Sequence, residues 1–190
     1  MKRFFLFLAI VVSLTAFTGA YTSWRNDDAH SQLRFTVTHL GISDVSGTFN
    51  DFDVSVQSSK PDFSDAVFEL VVKANSIDTR VEARDNHLKS ADFFNVEQYP
   101  EIHYKSTSIK KSGKNKYAIT GDLTLHGITK SVTMDLLYRG TIENPGNKKP
   151  TAGFQLIGEI DRRDFSLGND FPPPMISNIV RIKADGEFTR

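Results

Sequence analysis

The chain has 190 residues, with 23 basic side chains against 23 acidic ones and no cysteine. Nothing in that balance points to nucleic acid, and no basic stripe with interleaved aromatics occurs. The lack of cysteine excludes disulfides, thiolate metal sites, cysteine catalysis and lipoprotein-type acylation together.

Residues 1–20 read as a secretory signal peptide. Lys2 and Arg3 form a basic start, and Phe4 to Leu14 is apolar apart from Ser13. Thr18, Gly19 and Ala20 are small enough for cleavage, with Ala20 the last residue removed. The apolar run is too short to span a bilayer comfortably; the alternative is an uncleaved anchor. Cleavage would leave residues 21–190, one domain's length, in the periplasm or outside the cell. Losing Lys2 and Arg3 leaves 21 basic side chains against 23 acidic ones, a net charge of −2. With no disulfide, such a domain is held by its core alone.

After a short lead containing Trp24, the chain alternates with a period of two. Ser31–His39 places Leu33, Phe35 and Val37 on one face and Arg34, Thr36 and Thr38 on the other. Gly47–Gln57 carries Phe49, Val54 and Val56, with a break at Asn50-Asp51 that predicts a bulge or turn. Ala66–Ser76 sets Phe68, Leu70, Val72 and Ala74 against Glu69, Val71 and Lys73. Ile102–Lys111 and Lys116–Leu125 flank Ser112-Gly113-Lys114-Asn115, a hairpin signal. Leu123 and Leu125 lead through His126-Gly127 into Ser131–Thr141, where Val132, Met134 and Leu136 alternate. Phe154, Leu156, Gly158 and Ile160 follow in Gly153–Asp161, and Val180, Ile182 and Ala184 lie in Ile179–Phe188. These eight short strands, mostly hairpin-connected, predict an all-β barrel or sandwich. An eight-stranded barrel either holds one small ligand or is filled by its own side chains, and the pattern does not choose between them.

The alternation stops at Arg84–Ser106. Thr79-Arg80-Val81-Glu82 has the form of a capping box, and Val81, Arg84, Asp85 and Leu88 would share one face of a short helix. Phe93 and Phe94 are too close together for one strand face, so one can plug a core while the other covers its rim. Pro100 returns the chain to extended backbone. The segment reads as a lid or plug over the β-structure, or as an ordinary crossover.

Enzyme motifs are missing: there is no G-x-S-x-G elbow, no phosphate-binding glycine loop and no H-E-x-x-H. His30, His39, His87, His103 and His126 have no metal-ligand spacing, so no metal or cofactor is expected. Asp161-Arg162-Arg163-Asp164 reads as an ion-pair clamp on loops. Arg84-Asp85 is either such a pair or a cation left free for an anionic head group.

The order of several short motifs resembles the YceI-like family of exported bacterial proteins, also described as polyisoprenoid-binding. The motifs are Asp28-Ala29-His30-Ser31, Phe35-Thr36-Val37-Thr38-His39-Leu40-Gly41, Val45-Ser46-Gly47-Thr48-Phe49 and Ser76-Ile77-Asp78-Thr79. Arg84-Asp85-Asn86-His87-Leu88-Lys89-Ser90, Asp92-Phe93-Phe94, Tyr99-Pro100, the run from Gly121 to Lys130 and Asp161–Phe165 complete the match, which covers about residues 24–188. The resemblance implies an extended, lipocalin-like barrel of eight antiparallel strands around an apolar tunnel. It implies a non-catalytic carrier of an isoprenoid or other long-chain amphiphile. On that reading the tunnel is lined by Phe35, Val37, Phe49, Phe93, Phe94, Tyr104, Leu123, Leu125, Met134, Leu136, Phe154 and Phe165. The ligand's polar end would lie near Arg84, His87 and Lys89. Transient membrane contact and a homodimer belong to the same expectation. Three residues or segments depart from the family pattern: Ser131 for proline, Ser166 for glycine, and the apolar Phe171-Pro172-Pro173-Pro174-Met175 before the last strand. The alternative is a structural or stress-response interaction protein with a side-chain-filled barrel.

Overall fold

A computed structural model describes residues 20–190. The expected signal peptide falls on residues 1–19 and Ala20, and so lies almost wholly outside the described residues. The strands are β1 (Thr22–Asn26), β2 (Gln32–His39), β3 (Ser43–Phe49), β4 (Phe52–Ser58), β5 (Val67–Lys73) and β6 (Ile77–Asp78). After helix α1 (Glu82–Lys89) come β7 (Glu101–Gly113), β8 (Lys116–Leu125), β9 (Ile128–Glu143), β10 (Pro150–Asp161) and β11 (Ile179–Thr189). Trp24 therefore belongs to a strand and not to a lead, and its side chain is buried.

These segments form eight staves. β11 pairs with β2 through Arg181–Asp185 and with β1 at Phe188 and Thr189, so β1 and β2 lie end to end along one edge. β3 and β4 lie in series against β2 and β1. β5 and β6 are placed likewise against β4 and β3. With β7 to β11 they close an antiparallel up-and-down barrel, which leaves no long sheet edge unpaired among the described residues. The three broken staves bend at neighbouring places: residues 27–31, Asn50-Asp51 and the 3-10 turn Ala74–Ser76. Bonds outside the regular ladder bridge these breaks. Lys73 N–H donates to the Asp51 carbonyl at 2.9 Å, and Val54 N–H donates to Asn26 Oδ1 at 2.6 Å.

One end of the barrel is sealed by aromatic side chains. Phe63, in the β4–β5 loop, is 2% exposed and lies 5.5 Å from Trp24, 5.0 Å from Tyr138 and 4.9 Å from Phe154 between ring centroids. The Phe154 ring meets Phe68 and Phe188 edge-on at 5.4 Å, a favoured aromatic geometry. Two anchors hold this loop. Tyr117 Oη donates to the Asp62 carbonyl at 2.5 Å. The Asp65 carboxylate accepts from Ser58 Oγ at 2.5 Å, from the backbone N–H of Ser59 and Lys60, and from Ser59 Oγ.

The insert crosses the opposite end, together with the β2–β3 turn, the β8–β9 turn and the β10–β11 loop. The expected capping box does not form. Val81 is the N-cap and makes no side-chain cap bond. Thr79 instead donates through its hydroxyl to Asp85 and accepts from Arg84 Nε at 2.7 Å, which ties the helix back to the barrel. Phe93 is 6% exposed and stacks on Phe171 at 5.0 Å, while Phe94 is partly buried and meets Phe49 edge-on at 5.6 Å. Ser166 holds a left-handed backbone (φ 56°), where glycine is free of steric cost.

Candidate functional site

The period of two sends alternate side chains of every stave inward, and they enclose a cavity of about 460 Å³. Ile119, Leu123 and Leu125 reach it from β8, Met134 and Leu136 from β9, and Val180, Ile182 and Ala184 from β11. It extends to Phe171, Met175 and Ile176 in the β10–β11 loop, and Met175 is 44% exposed, so the cavity reaches the surface at the insert end. The size lies within the roughly 300–1,000 Å³ of small-ligand sites.

Of the apolar positions expected from the sequence, Phe35, Val37, Phe49, Phe93, Phe94, Tyr104, Leu123, Leu125, Met134, Leu136 and Phe154 all line this cavity. Phe165 does not. It lies in the 3-10 turn Arg162–Phe165, where strand alternation has ended, and it is buried elsewhere while its carbonyl pairs with His126 Nδ1 at 3.1 Å. Arg84 and His87 line the cavity and Lys89 does not. Three helix positions from Lys89 to Arg84 and His87 cannot all share one face, since five and two residues along a helix point to different sides.

At the mouth, the two arginines do different work. Arg84 makes no ion pair with Asp85; it donates through Nε and Nη2 to the hydroxyl and carbonyl of Thr79, both at 2.7 Å. Asp85 accepts from the Thr79 backbone N–H at 2.9 Å. Arg162 is 4% exposed, and its guanidinium donates to five carbonyls of the β10–β11 loop: Leu167, Gly168, Phe171, Ile176 and Ser177. Burial pushes this guanidinium below its ordinary pKa against the opposing pull of the Asp161 charge, and Asp161 itself pairs with Arg163. The expected clamp exists, but it is made with backbone carbonyls and not with carboxylates. Sequence pattern carries no signal for that choice. His87 Nε2 shares a hydrogen bond with Asp92 Oδ2 at 2.9 Å, and its ring meets Phe93 and Phe171 edge-on.

Deeper in the wall, Tyr104 is 7% exposed, and its hydroxyl has no hydrogen-bond partner among the described residues. Burial, reinforced by the nearby Asp122 charge, pushes this phenol up to about 12. Among the described residues, one cluster has metal-ligand chemistry: Asp27, His30 and Glu187. It lies at the surface. Asp27 there accepts from Ala29 N–H at 2.9 Å and pairs with His30 at 3.2 Å, which accounts for it as the cap of the turn Asp28–His30.

With this geometry in place, the similarities to known proteins fall into line. Residues 24–188 match the YceI-like domain. A UPF0312 protein of Staphylococcus aureus (strain USA300) is 35% identical over 172 residues, covering 88% of this chain and 98% of that protein. The crystal structure of a Campylobacter jejuni YCEI protein superposes with a TM-score of 0.74 at 28% identity, covering 80% of this chain and 88% of the other. BcnA of Burkholderia cenocepacia shares the fold, with a TM-score of 0.75 at 22% identity over 85% of this chain and 98% of its own. So does a polyisoprenoid binding domain from Saccharophagus degradans, with a TM-score of 0.65 at 17% identity over 87% and 97%. By the extent of the domain match and the level of identity, this chain belongs to the YceI-like family.

Proposed function

We propose that the protein is an exported, non-catalytic carrier that holds one long-chain amphiphile in its barrel. The observation that carries this reading is the apolar cavity of about 460 Å³ that reaches the surface beside the insert. A barrel filled throughout by side chains would leave no such space; the aromatic seal around Phe63 lies at the far end from the mouth. The description of the Saccharophagus degradans domain as polyisoprenoid-binding supports an isoprenoid as the chain, by analogy of fold.

Geometry limits the length. The inward residues of β11 from Val180 to Gly186 span ~20 Å of strand at ~3.3 Å per residue. A strand tilt of ~35–45° reduces that to ~15 Å along the barrel axis. Extended chain advances ~1.25 Å per carbon with ~1.5 Å bonds, so a single pass takes roughly twelve to sixteen carbons once the mouth is included. A longer isoprenoid doubles back or projects from the mouth.

A lipid of this kind starts with its chain already out of water, in a membrane or another carrier. Transfer to an apolar tunnel is then nearly neutral for the chain, and the head group and the tunnel shape decide uptake. Among the described residues Arg84 stands at the mouth without a carboxylate partner, which suits an anionic or carbonyl head group. Exposed Leu40, Ile42 and Met175 rim the same mouth and suit brief contact with a lipid surface.

The reading is tested by titration with a fluorescent polyene fatty acid. Uptake is expected at one probe per chain, and Ala184→Trp, which fills the cavity from β11, is expected to abolish it while the protein stays folded. No uptake, or uptake indifferent to Ala184→Trp, contradicts the carrier. Export is tested separately: the intact mass of the secreted protein is expected to start at Tyr21.

A further inference from the structure

Among the described residues, three buried side-chain polar atoms lack a hydrogen-bond partner: Ser31 Oγ, Tyr104 Oη and Asn178 Oδ1. Two of these residues, Ser31 and Tyr104, line the apolar cavity. A buried polar group is normally paired, because leaving it bare forfeits its bonds to water without replacement. Such exceptions need an explanation, and Tyr104 is the more deeply buried of the two.

Its placement is built into the wall. Tyr104 lies on β7 opposite Leu70 of β5 and Leu123 of β8, with Ile102 and Ser106 also turned inward. Ser106 has a partner, since its hydroxyl accepts from Phe68 N–H at 2.9 Å. Tyr104 has none among the described residues, and its ring leans off its own strand across Gly121 of β8. A Cβ at Gly121 would stand 2.5 Å from Tyr104 Cζ and 2.6 Å from Cε2. No other residue type leaves room for the ring there, so the glycine is the space that lets the hydroxyl reach over the inner face of β8. Along β8 the inward neighbours of Gly121 are Ile119 and Leu123, and its partner on β9 is Val132, none of which offers a hydrogen bond. The phenol stays protonated across the physiological range and is a standing donor.

From this we propose that the Tyr104 hydroxyl is a binding subsite for a hydrogen-bond acceptor, a carbonyl or ether-type oxygen, carried within the ligand's chain and not at its head. The inference rests on the carrier reading above and narrows its ligand, favouring a chain interrupted by an oxygen over the unbroken hydrocarbon of an isoprenoid. A pure hydrocarbon chain fills the tunnel but leaves the donor bare. A chain with an oxygen at the matching depth pairs it, and a chain with an oxygen at the wrong depth buries a bare acceptor as well. The tunnel thereby measures the position of one oxygen along the chain.

The test compares palmitate with a series of oxo-palmitates whose carbonyl is moved along the chain, each competed against a fluorescent polyene fatty acid on the wild-type protein and on Tyr104→Phe. In the wild type, one carbonyl position is expected to bind roughly three- to ten-fold more tightly than its neighbours in the series, the worth of one neutral hydrogen bond. In Tyr104→Phe that maximum is expected to disappear, leaving a flat profile across the carbonyl positions. The free variant is expected to be at least as stable as the wild type, since it loses an unpaired polar atom and no contact; a structural role for the hydroxyl would lower its stability instead. A positional profile that is flat in the wild type, or that is the same in both proteins, overturns the subsite and leaves the carrier standing. Failure of every probe, palmitate included, to bind the wild type overturns the carrier reading and the subsite with it.

Discussion

Arg162→Met is the substitution that most directly probes how the mouth is held. The side chains are close in size, but methionine carries none of the five N–H groups that Arg162 gives to the carbonyls of Leu167, Gly168, Phe171, Ile176 and Ser177. A hydrogen bond from a charged donor contributes ~1.5–3 kcal/mol, so the gross loss exceeds what a single substitution normally costs. The loop does not have to pay all of it, because residues 166–178 can swing outward and let water reach the carbonyls. The net cost is therefore set by opening the loop, and falls at ~3–5 kcal/mol, the range for losing one member of a buried charged network. Hydrogen exchange read by mass spectrometry is the assay. Protection is expected to fall in residues 166–178, and in the insert through the Phe93–Phe171 stack, while β8 and β9 keep theirs. Arg162→Lys is expected to recover less than half, since an ammonium has three donors and no planar fork. Unchanged exchange in residues 166–178 together with a loss under ~1 kcal/mol would refute this role for Arg162.

Three further outcomes are expected. Phe93→Ala should lower unfolding stability by ~3–5 kcal/mol and Phe94→Ala by less than ~2 kcal/mol, because Phe93 is buried and Phe94 only partly so; equal small shifts in urea midpoint would make the segment a solvated loop. Burial pushes the Asp65 carboxyl up, but the bonds from Ser58, Ser59 and Lys60 outweigh it and hold its pKa at about 2, below the ordinary 3.8. A depressed folded-state pKa gives stability that is complete above the unfolded value and is lost as pH falls through 2; that contribution, on the order of 1–2 kcal/mol after solvent screening, should vanish from the acid limb of Asp65→Asn in urea titrations at pH 2–5. Ile42 is 85% exposed at the mouth, and Ile42→Asp should slow transfer of a fluorescent fatty acid from vesicles to the protein without changing the amount bound at equilibrium; an unchanged rate would remove the rim from the transfer step.

The wall of the barrel was legible because inward positions repeat every two residues. Met134 and Leu136, or Leu123 and Leu125, could be assigned to one face from spacing alone; Phe165, which only the family resemblance put in the tunnel, lies past the end of its strand, where spacing carries no signal. The break at Asn50-Asp51 was visible, but its partners at residues 27–31 and 74–76 were not, since a stave bent in mid-course keeps its alternation on both sides. Phe63 gave no warning of its place in the sealed end. It stands in a loop, with a left-handed backbone (φ 57°), and only the fold brings Trp24, Tyr138 and Phe154 around it. Arg162 and Tyr104 show the same limit for the site. A mixed-charge run does not reveal that one arginine is buried against five carbonyls. An inward tyrosine reads as one more apolar position until its hydroxyl is seen to lack a partner.

The most direct test of the central claim is mass spectrometry of an organic extract from the natively purified, exported protein. A carrier should release a near-stoichiometric amphiphile with a single long apolar chain, and Ala184→Trp prepared in parallel should release none. Natively folded protein that releases no such molecule, with its cavity empty or filled by its own side chains, would contradict the carrier and leave a structural role for the barrel.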